Sequence, residues 1–117
     1  MARLLIVDDA AFMRKMLADM VAGKHEVCGE AANGVEAIEK YKELKPDVVT
    51  MDITMPEMQG IEAMREILAI DQEAKVLICS AIGHRQKVLE AMKNGARDFL
   101  VKPFQKEQIL DAISRLV

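Results

Sequence analysis

The sequence predicts an α/β fold in which five short strands alternate with five helices and form one parallel sheet covered on both faces. Three observations carry this. Short apolar runs recur five times, each followed by a segment with helical spacing. Most of these runs are apolar at adjacent positions rather than alternating, as in strands buried on both faces. A chain of 117 residues accommodates one core of this kind and no second folded unit.

The first strand is RLLIV, residues 3–7, and Asp8 and Asp9 follow it at once. Met13, Met16, Leu17, Met20 and Val21 then stand at i, i+3, i+4, i+7 and i+8, which places them on one face of a helix. EVCGE, residues 26–30, is the second strand. Val35, Ile38 and Tyr41 mark the next helix, which Pro46 ends because the residue before a proline avoids the α region. DVVTM, residues 47–51, runs directly into Asp52. Pro56 and Gly60 punctuate the segment beyond it, and Ile61, Met64 and Leu68 repeat the helical spacing. KVLIC, residues 75–79, leads to Ser80. A helix carrying Val88, Ala91 and Met92 stops at KNGARD, where Gly95 reads as a C-cap. DFLV, residues 98–101, delivers Lys102, and Ile109, Ala112, Ile113 and Leu116 give the last helix its buried face.

Consecutive βα units require right-handed crossovers, with helices on both sides of the sheet. The strand order 2-1-3-4-5 is adopted from flavodoxin-like sheets rather than derived from the residues. On that order Cys28 and Cys79 lie three strand spacings apart, roughly 14 Å. A disulfide needs Cα atoms within about 7 Å, so the two thiols are expected to stay free, as small buried groups.

Composition narrows the function classes. The formal net charge is −3, from 16 basic and 19 acidic residues without a Lys/Arg block, which argues against a nucleic-acid footprint. No apolar run approaches the roughly 20 residues of a membrane span, and LLIV is cut off by Asp8, which argues against a signal peptide. A cytoplasmic protein is expected. With 3% aromatic residues, the nine methionines share the core with Leu, Ile and Val.

Why should DVVTM end in a carboxylate? In open α/β sheets ligands bind outside the carboxyl ends of the strands. Those ends here supply Asp8 and Asp9, Asp52, Ser80 and Lys102, while the second strand ends in Glu30. Taken singly, Asp9 could cap the first helix, Asp52 and Ser80 could be turn residues, and Lys102 a solvated charge. Together they form a set with a chemistry. Crowded acids repel and raise one another's pKa unless a cation lies among them. Oxygen donors without thiol or imidazole favour Mg²⁺, which takes one or two carboxylates, several waters and a phosphate oxygen. Asp52 is then a nucleophile already ionised near neutrality, Lys102 a point charge for phosphate oxygens, and Ser80 a hydroxyl donor. Phosphoryl transfer needs positioning and charge neutralisation, and this set supplies both.

LLIVDDAAFMR, VVTMDITMPEMQG, VLICSA and DFLVKPF resemble the motifs of the receiver domains of two-component response regulators, the stand-alone chemotaxis type above all. The resemblance covers essentially the whole chain. It implies that Asp52 accepts a phosphoryl group from a histidine kinase, that Asp8 and Asp9 form the acid pair of a Mg²⁺ site, and that the Thr54 backbone carbonyl is a further ligand. Asp9 would bind the metal directly and Asp8 mainly through water. It also implies that Ser80 is a switch hydroxyl, that Lys102 pairs with the phosphate before a cis bond to Pro103, and that Phe99 is the switch aromatic. The implied output is the flagellar motor switch, read by the fourth helix, fifth strand and fifth helix. A phosphatase is a further possible partner. The chain is expected to be a monomeric receiver over residues 1–117 with no output domain, and His84 an exposed bystander.

Three rivals remain open at this point. A Mg²⁺-dependent aspartyl-phosphate hydrolase carries a second acid two residues after its nucleophile, where this chain has Thr54. A nucleotide-binding module has a glycine-rich first turn, where this chain reads DDAAF. A phosphorelay carrier would share the site and differ only in passing the group to a histidine.

Overall fold

The computed structural model describes residues 1–55 and 58–117; Pro56, read as punctuation after the third strand, lies outside the described residues. Strands β1 (Arg3–Val7), β2 (Glu26–Ala31), β3 (Val48–Asp52), β4 (Val76–Ala81) and β5 (Asp98–Lys102) alternate with helices α1 (Ala11–Val21), α2 (Gly34–Leu44), α3 (Gly60–Ile70), α4 (Arg85–Lys93) and α5 (Lys106–Leu116). All four strand pairings are parallel, and the order is β2-β1-β3-β4-β5. No helix among the described residues is long and apolar enough to cross a membrane.

Side chains alternate across the sheet and divide its core in two. Leu5, Val7, Val49, Met51 and Ile78 face a cluster completed by α2, α3 and α4. Leu4, Ile6, Val48, Leu77 and Cys79 face α1 and α5. Asp52 continues the series Val48, Thr50 on the second face and pairs in register with Cys79. Two-residue periodicity thus puts the acid on the sheet face covered by α1 and α5.

Several boundaries differ from the sequence reading in one consistent way. The strands run past their apolar runs, so Asp52, Ser80 and Lys102 occupy the last rungs of the ladder rather than loops. Helix faces differ too. On α1 only Leu17 and Val21 are buried, with Met13 and Met20 half-buried and Met16 exposed, so only part of the apolar stripe faces the core. On α2 the buried residues are Gly34, Ala37 and Tyr41, while Val35 is exposed. Gly95 follows the C-cap Asn94 with φ +112, a conformation that glycine adopts without strain. Both cysteines are free, Cys28 half-buried and Cys79 buried.

Candidate phosphoryl-acceptor and metal site

The end of β1 is fixed by three contacts around Asp8. Its backbone N–H donates to the Ala31 carbonyl at 3.1 Å, its Oδ1 accepts from the Ala10 N–H at 2.9 Å, and its Oδ2 accepts from Lys102 Nζ at 2.8 Å. Helix α1 begins with Ala10 as N-cap and no side-chain cap. Asp9 therefore does not cap it, and the acid that binds the loop backbone is Asp8. Lys102 also reaches Asp52 Oδ1 at a longer 3.4 Å. One carboxylate oxygen from each of Asp8, Asp9 and Asp52 lies within 4.8 Å of the others, a grouping of three possible metal ligands.

Asp8 and Asp52 are buried, Asp52 at 8% exposure, whereas Asp9 is exposed. Burial pushes the Asp52 carboxyl up to about 6, with the negative charges of Asp8 and Asp9 adding to the effect and Lys102 opposing it. For Lys102, burial works against the charge, but the hydrogen bond from its ammonium to Asp8 and the charges of Asp52 and Asp8 outweigh it and hold the pKa above the ordinary lysine value. Among the described residues, one ammonium thus bonds two of the three clustered acids. The donor set is all oxygen, negatively charged and incompletely neutralised, which fits Mg²⁺.

Gly60 lets β3 and α3 meet. A Cβ there would lie 2.1 Å from the Asp52 carbonyl oxygen, and the Gly60 N–H donates to the Ile53 carbonyl at 2.9 Å. Thr54, two residues past Asp52, has an exposed side chain.

Ser80 and Phe99 are placed differently from the acids. Ser80 is buried at the end of β4, and its hydroxyl donates to the neighbouring Ala81 carbonyl at 3.0 Å. Phe99 is 41% exposed on β5. Both line a groove of about 470 Å³ with His84, Val88, Leu89 and Val101. His84, expected to be an exposed bystander, is half-buried in that groove. The Lys102–Pro103 peptide is cis.

One residue at the site escaped the sequence reading. Arg14, on the first turn of α1, bonds both the Asp8 carbonyl and Glu30. Its only signal in the sequence is a cation interrupting the apolar stripe AFMRKML.

The model of the response regulator receiver domain family matches residues 4–114. This chain belongs to that family. The receiver domain is similar to the chemotaxis protein CheY of Thermotoga maritima, with 60% identity over 115 residues, 97% of this chain and 96% of that protein. CheY of Bacillus subtilis is 56% identical over 97% of this chain and 95% of its own length. Among solved structures, a CheX–CheY–BeF₃–Mg²⁺ complex from Borrelia burgdorferi matches with a TM-score of 0.91 and 38% identity, covering 98% of this chain and 89% of that one. A receiver domain is a signalling protein, and the sheet order adopted from the sequence is the order found.

Proposed function

We propose that this receiver domain is a single-domain response regulator of chemotaxis that takes a phosphoryl group from a histidine kinase onto Asp52. The observation that carries the reading is the convergence of Asp8, Asp9 and Asp52 within 4.8 Å, with the Lys102 ammonium on two of them. Identity of 60% to a chemotaxis CheY supports the pathway.

An Asp52 carboxylate oxygen attacks the phosphorus of a phosphohistidine. The P–N bond breaks, its electron pair stays with the imidazole, and Asp52 becomes an acyl phosphate. Asp52 is aimed by the last rung of β3 and needs no general base, because a pKa of about 6 leaves it largely ionised at pH 7. Asp8, Asp9, Asp52 and the Thr54 carbonyl would hold Mg²⁺, which when bound neutralises charge on the transferring oxygens. Lys102 pairs with a phosphoryl oxygen, giving up part of its contact with Asp52. The Ser80 hydroxyl turns from the Ala81 carbonyl to the acyl phosphate, and Phe99 follows it into the groove. Phenylalanine has no hydroxyl, so a partner reads Phe99 by packing alone.

In this reading the protein acts in the cytoplasm as a monomer. It turns over no substrate beyond its own phosphorylation and slow dephosphorylation, because Thr54 offers no carboxylate to discharge the acyl phosphate. The flagellar motor switch is its target. A phosphatase is a further partner in this reading, and the similar Borrelia CheY was solved in complex with a second protein, CheX. The test is incubation with a chemotaxis histidine kinase, labelled ATP and Mg²⁺, followed by peptide mapping and binding to a motor-switch peptide. One label on Asp52 and tighter peptide binding are expected. A label elsewhere contradicts the acceptor, and transfer to a histidine phosphotransfer domain without peptide binding makes the chain a relay carrier.

A further inference from the structure

We infer that Arg14 is a positioning residue for the metal site, holding the peptide that joins Asp8 to Asp9 so that the exposed Asp9 carboxylate stays within the acid cluster. The inference rests on the Mg²⁺ site proposed above and names what keeps that site assembled.

Arg14 Nη1 donates to the Asp8 carbonyl oxygen at 2.6 Å, and its Nε donates to Glu30 Oε1 at 2.9 Å. The guanidinium side chain is 18% exposed, so its place is set by packing as well as by hydrogen bonds. One planar fork therefore connects three elements: α1, the β1–α1 turn and the end of β2. An arginine can do this because its donors are fixed in one plane, whereas a lysine ammonium makes no rigid fork.

The Asp8 carbonyl belongs to the peptide group that ends at the Asp9 nitrogen, so rotation of that group swings Asp9. Asp8 is held by its N–H and both carboxylate oxygens. Asp9 has no comparable anchor: it is exposed, and no side-chain hydrogen bond among the described residues fixes its carboxylate. The orientation of its carboxylate comes from the backbone on either side: Arg14 holds the Asp8 carbonyl before it, and Asp8 Oδ1 holds the Ala10 N–H after it.

Charge and geometry make opposite demands here. A guanidinium bonded to the Asp8 carbonyl, beside a metal site, opposes a cation by simple Coulomb repulsion, so removing its charge should tighten Mg²⁺ binding. A clamp demands the reverse. The distinction yields a test with charge-conserving variants. Arg14→Lys keeps the charge and loses the fork, and Glu30→Asp keeps the charge and shortens the reach to Nε by one methylene.

The measurement is the Mg²⁺ dissociation constant of the full chain, from amide shifts of Asp9 and Ala10 on titration with Mg²⁺ alone. Outer contacts that orient metal ligands are commonly worth 10- to 100-fold in affinity, and we expect about tenfold weaker binding for Arg14→Lys. Glu30→Asp should weaken it by a smaller factor. Glu30 is 48% exposed, so this second variant reports on the clamp even if Arg14→Lys perturbs α1. Arg14→Gln should weaken binding as well, although it removes a positive charge. Wild-type affinity in Arg14→Lys and Glu30→Asp, or tighter binding in Arg14→Gln, would overturn the clamp and leave the metal site standing. Absence of Mg²⁺ binding at Asp9 in the wild type would remove the site and the clamp together.

Discussion

At the ends of β1 and β3, Asp8 and Asp52 are buried and bridged by Lys102, whereas on β4 and β5 the Ser80 hydroxyl turns to its neighbour's carbonyl and Phe99 stands 41% exposed. Asp8, Asp52 and Ser80 lie toward the carboxyl edge of one sheet, and Phe99 stands nearer the start of β5. The acid side is assembled before any ligand arrives, because separating its charges would strand buried carboxylates. The β4–β5 side has little holding it in its present arrangement. Ser80 gives up one hydrogen bond to a carbonyl, and Phe99 has a groove of about 470 Å³ beside it. The rigid half suits chemistry, and the loosely held half suits a population that a phosphoryl group can shift.

The largest expected effect lies on the rigid side. Lys102→Ala should slow phosphorylation of Asp52 by a small-molecule phosphodonor about 10²- to 10³-fold, the usual loss for a charge-stabilising donor. The same change should tighten Mg²⁺ binding, since it removes a cation that bonds two of the candidate ligands. Rate and affinity moving the same way would mean that Lys102 serves mainly to assemble the acids.

Gly60→Ala should cost about 3 kcal/mol in chemical denaturation, because its Cβ would meet the Asp52 carbonyl, a backbone atom at the centre of the rigid half. A loss under 1 kcal/mol would show that the β3–α3 junction gives way more readily than its packing implies.

Asp52→Asn should stabilise the metal-free protein, with the gain set by pH. Burial raises the folded-state pKa from 3.8 to about 6, so the folded chain holds its proton more tightly than the unfolded chain. Wild-type stability therefore falls as pH rises through that window and levels off above it. Against an uncharged Asn, the difference should be about 3 kcal/mol at pH 8 and should fade as pH drops from 6 toward 4. Thermal melts in EDTA at several pH values measure it, and a pH-independent difference would contradict the assigned cause.

The smallest effect belongs to the loosely held half. Phe99→Ala should cost about 1 kcal/mol, well below the 2–5 kcal/mol typical of truncating a buried residue such as Ile78, its ladder partner. Equal losses at the two positions would erase the distinction between the halves.

The sequence carried the sheet and its polar edge because both follow from short-range patterns. Adjacent apolar residues marked buried strands, and the acids, Ser80 and Lys102 were visible as polar breaks at their ends. Strand order was not among those patterns, since nothing in one strand's residues states its neighbour. On α1, Met16 fits the helical spacing yet is exposed, because spacing names one face of a helix and not how much of that face a neighbour covers. Arg14 was missed because its partners, a backbone carbonyl and Glu30 on another strand, become neighbours only after folding. The hydroxyl direction of Ser80 and the exposure of Phe99 are choices of rotamer and packing, which residue type does not encode.

The most direct test follows backbone amides by NMR as Mg²⁺ and then beryllofluoride, a phosphoryl mimic, are added to the wild type and to Asp52→Ala. The wild type should respond first at Asp8, Asp9 and Asp52, and beryllofluoride should then move Ser80, Phe99 and Lys102, while the variant shows no beryllofluoride response. Equal shifts at Phe99 and Lys102 in the variant would contradict the assignment of Asp52 as the acceptor.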